Sequence, residues 1–254
     1  MTSSFTPLDR LDDQVAVITG GTGAIGAATA RRLAALGARV VVLHRGTSDK
    51  AQPLLQTLTG HGHGAVTASV TDSTQLENAA QIVKRSFGPA RILVNCAGHT
   101  QPVPAGNLQA LSDELIDDMF ASNWRGTFAA IRAFAPQLQA GDDGLIVNVS
   151  SIAGMTGLGS NLAYAAAKAG IDALTKGLAK TLAPKVRVLA VSPGVVDSSF
   201  VAGRDANFNA KVGATIALQR VGTPDDVAAV IQACCTSLRY ATGSIFVADG
   251  GRHL

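Results

Sequence analysis

The stretch YAAAK at residues 164–168 places a phenol and an ammonium group one helical turn apart. Tyr164 is one of only two tyrosines in the chain, and three alanines separate it from Lys168. Four residues of helix advance about 6 Å and return to the same face, so both side chains can enter one site. A free phenol has a pKa near 10, which leaves about one part in a thousand ionised at pH 7. A fixed ammonium beside it favours the phenolate. Such a tyrosine can give a proton to a forming alkoxide or take one from an alcohol. The spacing alone is common on amphipathic helices, so its meaning depends on the residues around it. NVSSIAG (148–154) reads as a strand end and carries Ser151, whose hydroxyl can hold a carbonyl oxygen. NCAG (95–98) ends another strand and offers Asn95, Ala97 and Gly98 where backbone can approach a ligand. Asn123, in SNWRGTF, is a polar amide on a mostly apolar helical face and needs a partner. SPGVV (192–196) closes a later strand with a Pro193-Gly194 turn. Strand ends of this kind are where open parallel sheets bind ligands.

A second group of residues points to a phosphate. TGGTGAIG (19–26) follows a strand pattern and opens a helical one, and Gly21, Gly23 and Gly26 satisfy G-x-G-x-x-G. Glycines let backbone approach a pyrophosphate closely, and the helix N-terminus supplies free N–H groups with partial positive charge. The group that reads the adenosine ribose is expected at the end of the next strand. There VVVLHRG ends with His44 and Arg45, and no carboxylate follows until Asp49. A carboxylate would accept from a ribose 2′-hydroxyl and repel a 2′-phosphate. Arg45 instead offers a planar, charge-assisted clamp. The expected cofactor is therefore NADP(H) in preference to NAD(H), with NAD(H) as the alternative.

These residues need an alternating scaffold, and the chain has one. Short β-branched runs occur at 15–19, 39–43, 92–95, 144–150, 186–192 and 244–249, with longer helical patterns between them. Ile25, Thr29, Leu33 and Leu36 mark one helical face closed by Gly37, and Thr223-Pro224 with Asp225 and Asp226 reads as a helix start. Strands alternating with helices imply βαβ units and a parallel sheet covered on both faces. With 254 residues and no long linker, the expectation is one α/β domain over 14–254 behind a mobile tail at 1–13. Net charge is only +3 and the basic residues are scattered, which gives no support for a nucleic-acid partner. No apolar run is long enough for a membrane span, and the first thirteen residues hold no signal-peptide core. Cys96, Cys234 and Cys235 form neither a disulfide framework nor a zinc site, so reduced thiols and a cytoplasmic location are expected, with no bound metal. Charged residues make up 15% of the chain against a typical share of about 25%, which suggests that part of the surface is covered by other subunits.

The glycine loop, Asn-x-Ala-Gly, the Asn123–Ser151–Tyr164–Lys168 set, Pro-Gly and a terminal DGG (249–251) stand in the order of the short-chain dehydrogenase/reductase family. The chain resembles that family from about residue 14 to residue 251. The resemblance implies a single doubly wound Rossmann domain with seven parallel strands ordered 3-2-1-4-5-6-7, assembled as a homotetramer. It implies Tyr164 as acid and base and Ser151 as the holder of the substrate oxygen. Lys168 would bind the nicotinamide ribose and lower the Tyr164 pKa, and Asn123 would position a water linking Lys168 to solvent. Gly20, Thr22, Gly23, Ala24, Ile25 and Gly26 would cradle the cofactor phosphates, with His44 and Arg45 at the ribose. Asn95, Ala97 and Gly98 would lie along the cofactor, and Pro193, Gly194, the Val196 backbone and the Ser198 hydroxyl would hold its carboxamide end. Ala24 stands where shorter members usually have Gly, and Ser69 where an Asp commonly contacts adenine, which leaves the Val70 backbone as the better contact.

The function so implied is hydride transfer between a nicotinamide and a carbonyl or alcohol carbon. The alternative is a cofactor-binding regulator or scaffold that kept the fold and lost the chemistry. Epimerisation or dehydration is suggested only by the T-G-x-x-G-x-x-G spacing of longer members, whose substrate domain this chain lacks. A lid is expected at about 197–215, with Phe200, Val201 and Phe208 as apolar contacts and Arg204 as its arginine. His99, Met155, Leu158 and Asn161 are further pocket candidates, and together they suggest a small, mostly neutral substrate. Members that act on carrier-bound acyl groups tend to be basic near 139–143, where this chain has Asp142-Asp143.

Overall fold

A computed structural model describes residues 10–254. The strand-forming runs are mostly apolar, as suits strands covered by helices on both faces. They build one seven-stranded sheet, with β1 (Val15–Thr19), β2 (Arg39–His44), β3 (Gly64–Thr67), β4 (Ala90–Asn95), β5 (Gly144–Val149), β6 (Val186–Pro193) and β7 (Ile245–Ala248). Their order is β3-β2-β1-β4-β5-β6-β7, and every neighbouring pair is parallel. The helices are α1 (Ala24–Ala35), α2 (Gln52–Leu55), α3 (Ser73–Ser86), α4 (Asp113–Phe120), α5 (Gly126–Leu138), α6 (Ala153–Thr156), α7 (Leu162–Leu182), α8 (Ala206–Gly213) and α9 (Pro224–Cys235).

The core is split by the sheet. On one face Ala30 and Leu33 of α1, Leu54 of α2 and Val227 and Ile231 of α9 pack on Ile18, Val42 and Val147. On the other, Leu76 and Val83 of α3 and Ile131 and Phe134 of α5 pack on Val17, Val41 and Ile146. A bidentate ion pair from Arg32 to Asp225 clips α1 to α9. The expected start of α9 is present in full: Thr223 Oγ1 accepts from Asp226 N–H, and the Asp226 carboxylate accepts from Thr223 N–H.

Two expectations need correction. Reading the runs residue by residue finds six strands and misses β3, because GAVT is short and opens on a glycine. Its pairing with β2, from Val41 opposite Gly64 to His44 opposite Thr67, makes it a strand; here tertiary context outweighs propensity. The second concerns the tail expected at 1–13, whose last residues belong to the domain. Residues 1–9 lie outside the described residues, but Leu11 is buried in the core and its N–H donates to Leu36 O.

The α4–α5 rod is joined by a π-turn, Ala121–Arg125, which is one residue wider than an α-turn. Trp124 in that turn stacks on Phe128 and seats against Gly170 of α7, where a Cβ would lie 2.6 Å from Trp124 Cδ1. Strand registers set Thr19 level with Leu43 and Asn95, so the carboxyl ends of β1, β2 and β4 share one edge. That edge carries the site.

Candidate active site

A continuous cavity of about 740 Å3 runs along the carboxyl edge of the sheet. At one end the turn after β1 folds tightly: Gly23 N–H donates to Gly20 O, and a Cβ at Gly26 would lie 2.5 Å from that same oxygen. Gly20 has φ +63°, and a Cβ there would lie 2.8 Å from Ala97 Cα. Only glycine suits a left-handed turn pressed against backbone. Gly23 caps α1 without a side-chain hydrogen bond, which leaves the first N–H groups of the helix facing the cavity as an anion cradle. Thr22, Ala24 and Ile25 line the same end.

At the end of β2, His44 is buried with its edge on the cavity, and Arg45 lies exposed at the rim. Lys50 joins them, which the sequence reading did not anticipate. A 3-10 turn over Ser48–Ala51 swings it back, and a Cβ at Gly46 would lie 3.2 Å from its Nζ. Two cations therefore stand at the rim where a ribose would be read. Ser69 and Val70 form the adjoining wall, with Ser69 Oγ tied to Thr71 Oγ1 at 2.8 Å. Ala97, Gly98, Pro193, Gly194, Val196 and Ser198 line the cavity further along, as expected. Asn95 does not. Its amide turns into the sheet, Nδ2 donates to Asn148 Oδ1, and Asn148 Nδ2 donates in turn to Thr175 Oγ1. The wall at that point is Cys96.

Ser151, Tyr164 and Lys168 meet at the other end. Asn161 caps α7 by accepting from Tyr164 N–H at 2.7 Å, so it fixes the helix that carries the tyrosine and is not itself a wall. Lys168 is buried, with Nζ 5.6 Å from the Tyr164 ring centroid and donating to Val149 O at 2.8 Å. Burial pushes the Tyr164 phenol up to about 12, while a hydrogen bond with Ser151 and the charge of Arg204 pull it back. Burial pushes the Lys168 ammonium down to about 8, against the pull of Cys96 and Asp172. Desolvation outweighs the groups that oppose the rise, Ser151 and Arg204.

Asn123 sits behind this group rather than on the cavity wall. The π-turn points it inward, fully buried, with Nδ2 donating to His99 O and Met119 O. Its Oδ1 has no hydrogen-bond partner among the described residues. A Cβ at Gly98 would lie 2.5 Å from that oxygen and 4.0 Å from Lys168 Nζ, so both atoms face one small space. An orphaned buried carbonyl facing an ammonium suits a bridging water.

The strap between β6 and α8 closes the cavity with Phe200, whose ring centroid is 6.0 Å from that of Tyr164. Val201, Leu158 and His99 also line it, and His99 is held by Asp118 at 2.6 Å. Met155 is half-exposed and off the wall, and Phe208 lies beneath Arg204 rather than on the cavity. The pocket is not neutral: Arg204 and Arg252 both line it. Asp142 and Asp143 are not free charges either, since Lys185 pairs with the first and Arg91 and Arg239 with the second. The charge argument against a carrier-bound substrate therefore loses its footing.

A family model described as enoyl-(acyl carrier protein) reductase matches residues 21–253. A 3-oxoacyl-[acyl-carrier-protein] reductase from Synechocystis is 33% identical, covering 96% of this chain and 98% of that protein. A cis-4-hydroxycyclohexanecarboxylate dehydrogenase from Sinomonas cyclohexanicum is 34% identical, over 94% of this chain and 96% of its own. A solved short-chain dehydrogenase/reductase from Serratia marcescens superposes with a TM-score of 0.86 at 29% identity, covering 98% of this chain and 100% of that one. With its sheet order, glycine turn and Ser–Tyr–Lys corner, the chain belongs to the short-chain dehydrogenase/reductase family and is an NAD(P)-dependent oxidoreductase.

Proposed function

We propose that the protein transfers a hydride between NADP(H) and a carbonyl or alcohol carbon of a small substrate, with Tyr164 moving the proton. The observation that carries this reading is the convergence of Ser151, Tyr164 and Lys168 at one end of the cavity whose other end is a glycine cradle. The cradle fits a dinucleotide, because the turn after β1 packs so closely on backbone at Gly20 and Gly26 that only glycine is accommodated, and the uncapped start of α1 borders the cavity. The nicotinamide, when bound, supplies or accepts the hydride. Everything else is done by the chain.

The Ser151 hydroxyl holds the substrate oxygen beside Tyr164. In the reducing direction the phenol, protonated at neutral pH, gives its proton to that oxygen as the carbonyl carbon becomes an alcohol carbon. Ser151 and Arg204 stabilise the tyrosinate left behind. Lys168 holds the ribose and, through the space it shares with the Asn123 carbonyl, passes a proton back to Tyr164 from solvent. In the oxidising direction the same steps run in reverse. The relatives' names fit either direction, since one names a 3-oxoacyl group and the other a hydroxy compound.

Tyr164→Phe tests the assignment. The ring still packs against Phe200, but no proton can move, so turnover falls at least a hundredfold while cofactor affinity stays close to wild type. A variant keeping more than about a tenth of kcat, equivalent to roughly 1.4 kcal/mol, would remove Tyr164 from its role. Tight NADPH binding with no turnover of any carbonyl or alcohol by wild type would favour the regulator reading.

A further inference from the structure

The cavity end that holds Ser151 and Tyr164 also carries two arginines that no carboxylate among the described residues pairs. Arg204 sits on the strap before α8, half-buried, with its guanidinium 4.9 Å from the Phe208 ring centroid. Arg252 reaches the same cavity from the C-terminal turn, where Nη1 donates to Thr215 Oγ1 at 3.3 Å. Two like charges facing one partly dry space repel each other. Among the described residues neither has an ion-pair partner. The neighbouring carboxylates are committed elsewhere. Asp197 accepts from Asn209 Nδ2, Asp205 caps α8 by accepting from Phe208 N–H, and Asp249 accepts from His253 Nδ1 and Gly251 N–H. The Phe208 face steadies the Arg204 cation without neutralising it.

The position of this charge is informative. Arg204 bears electrostatically on the Tyr164 phenol and is itself pushed down by burial and by Arg252. Phe200, four residues earlier on the same strap, lies against the Tyr164 ring. The guanidinium therefore lines the same cavity as Ser151 and Tyr164, on the strap whose Phe200 faces the Tyr164 ring.

We propose that Arg204, backed by Arg252, is an anion subsite, and that the substrate is a small oxo- or hydroxy-acid whose carboxylate lies close to the reacting carbon. This rests on the carbonyl/alcohol reading above. A guanidinium pairs a carboxylate through two parallel N–H groups, which fixes direction as well as place. With the carboxylate on the strap, the carbonyl oxygen is left between Ser151 and Tyr164. One bound anion also relieves the repulsion between the two arginines.

The test is a set of 2-, 3- and 4-oxo acids, each compared with its own primary amide. Wild type should favour at least one acid over its amide by about ten- to a hundredfold in kcat/KM, the worth of a charge-assisted pair. Arg204→Met should bring that ratio to near one, and Arg204→Lys should keep part of it. Wild type that turns over amides as well as acids overturns the subsite and leaves the oxidoreductase reading standing. Equal losses on acid and amide in Arg204→Met also overturn it. So does a loss of NADPH affinity with the ratio intact, which would put the guanidinium on the cofactor. Benzoate and benzamide binding to the NADP+ complex, followed by calorimetry, needs no turnover. Benzoate binding that depends on Arg204, in a protein that reduces no carbonyl, sustains the subsite and sinks the oxidoreductase reading; no benzoate binding and no turnover overturn both.

Discussion

Burial drives Tyr164 and Lys168 in opposite directions, and both shifts can be read in solution. Lys168 has a folded pKa of about 8 against 10.5 for the free side chain. The unfolded chain therefore binds the extra proton between those values, and stability from this group rises with pH through that window. Below about pH 8 the buried ammonium carries its full desolvation cost. Wild type should gain stability relative to Lys168→Met as pH rises from 8 to 10.5, as urea unfolding at several pH values will measure; a constant difference would mean the group is not desolvated. At the cavity's other end, Arg45→Ala should raise the NADPH dissociation constant about tenfold with little change for NADH, since a phosphate contact is charge-assisted. Wild-type preference for NADH would refute the cofactor assignment. Arg45 is legible in the sequence because it directly follows a strand. Lys50 is not, because its placement depends on a 3-10 turn that no periodicity announces. That no described carboxylate pairs with Arg204 is equally hidden, since it depends on where Asp197, Asp205 and Asp249 point.

At the scale of elements, what the sequence shows best is what local rules determine. The α1 face, the apolar strands and the α9 start follow from periodicity and capping, and the structure has each of them. Thr223→Ala removes the acceptor for Asp226 N–H and should cost about 1 kcal/mol in urea unfolding, without altering the cavity. A loss near zero would show that Arg220, which also grips Asp226, holds the turn alone. What local rules leave undetermined is harder to see. β3 exists through its ladder with β2, and the π-turn shows only in the way α4 and α5 join. That turn is what carries Asn123 inward, so one of the site residues was found by its identity while the reason for its position was not.

For the whole molecule, the surface argues for assembly. β7 is an edge strand, paired only with β6, and half-exposed along its whole length. Phe120, Trp124 and Phe128 keep apolar surface on the α4–α5 rod. An edge and an aromatic face left partly open in a chain this poor in charge call for covering by other copies. We expect a homotetramer, with the α4–α5 and α7 faces in one interface and residues 246–254 near the second. Light scattering at micromolar concentration should give four chains, and a monomer would remove this proposal. That Tyr164, Lys168 and Ser151 share one end of the cavity is legible in the sequence, because strand ends and helix spacing place them. The charge of the pocket was not, because it depends on lid contacts between residues far apart in the chain.

Trp124 is the chain's only tryptophan, and it sits one residue from Asn123 against the helix that carries Tyr164 and Lys168. The fold is thereby equipped with a single fluorophore beside its site. Indole emission overlaps the absorption of reduced nicotinamide, so loading of the cavity will appear as quenching by energy transfer. No substrate has to be known for that signal. Affinities of the Arg45 and Arg204 variants can be ranked from the light of one side chain.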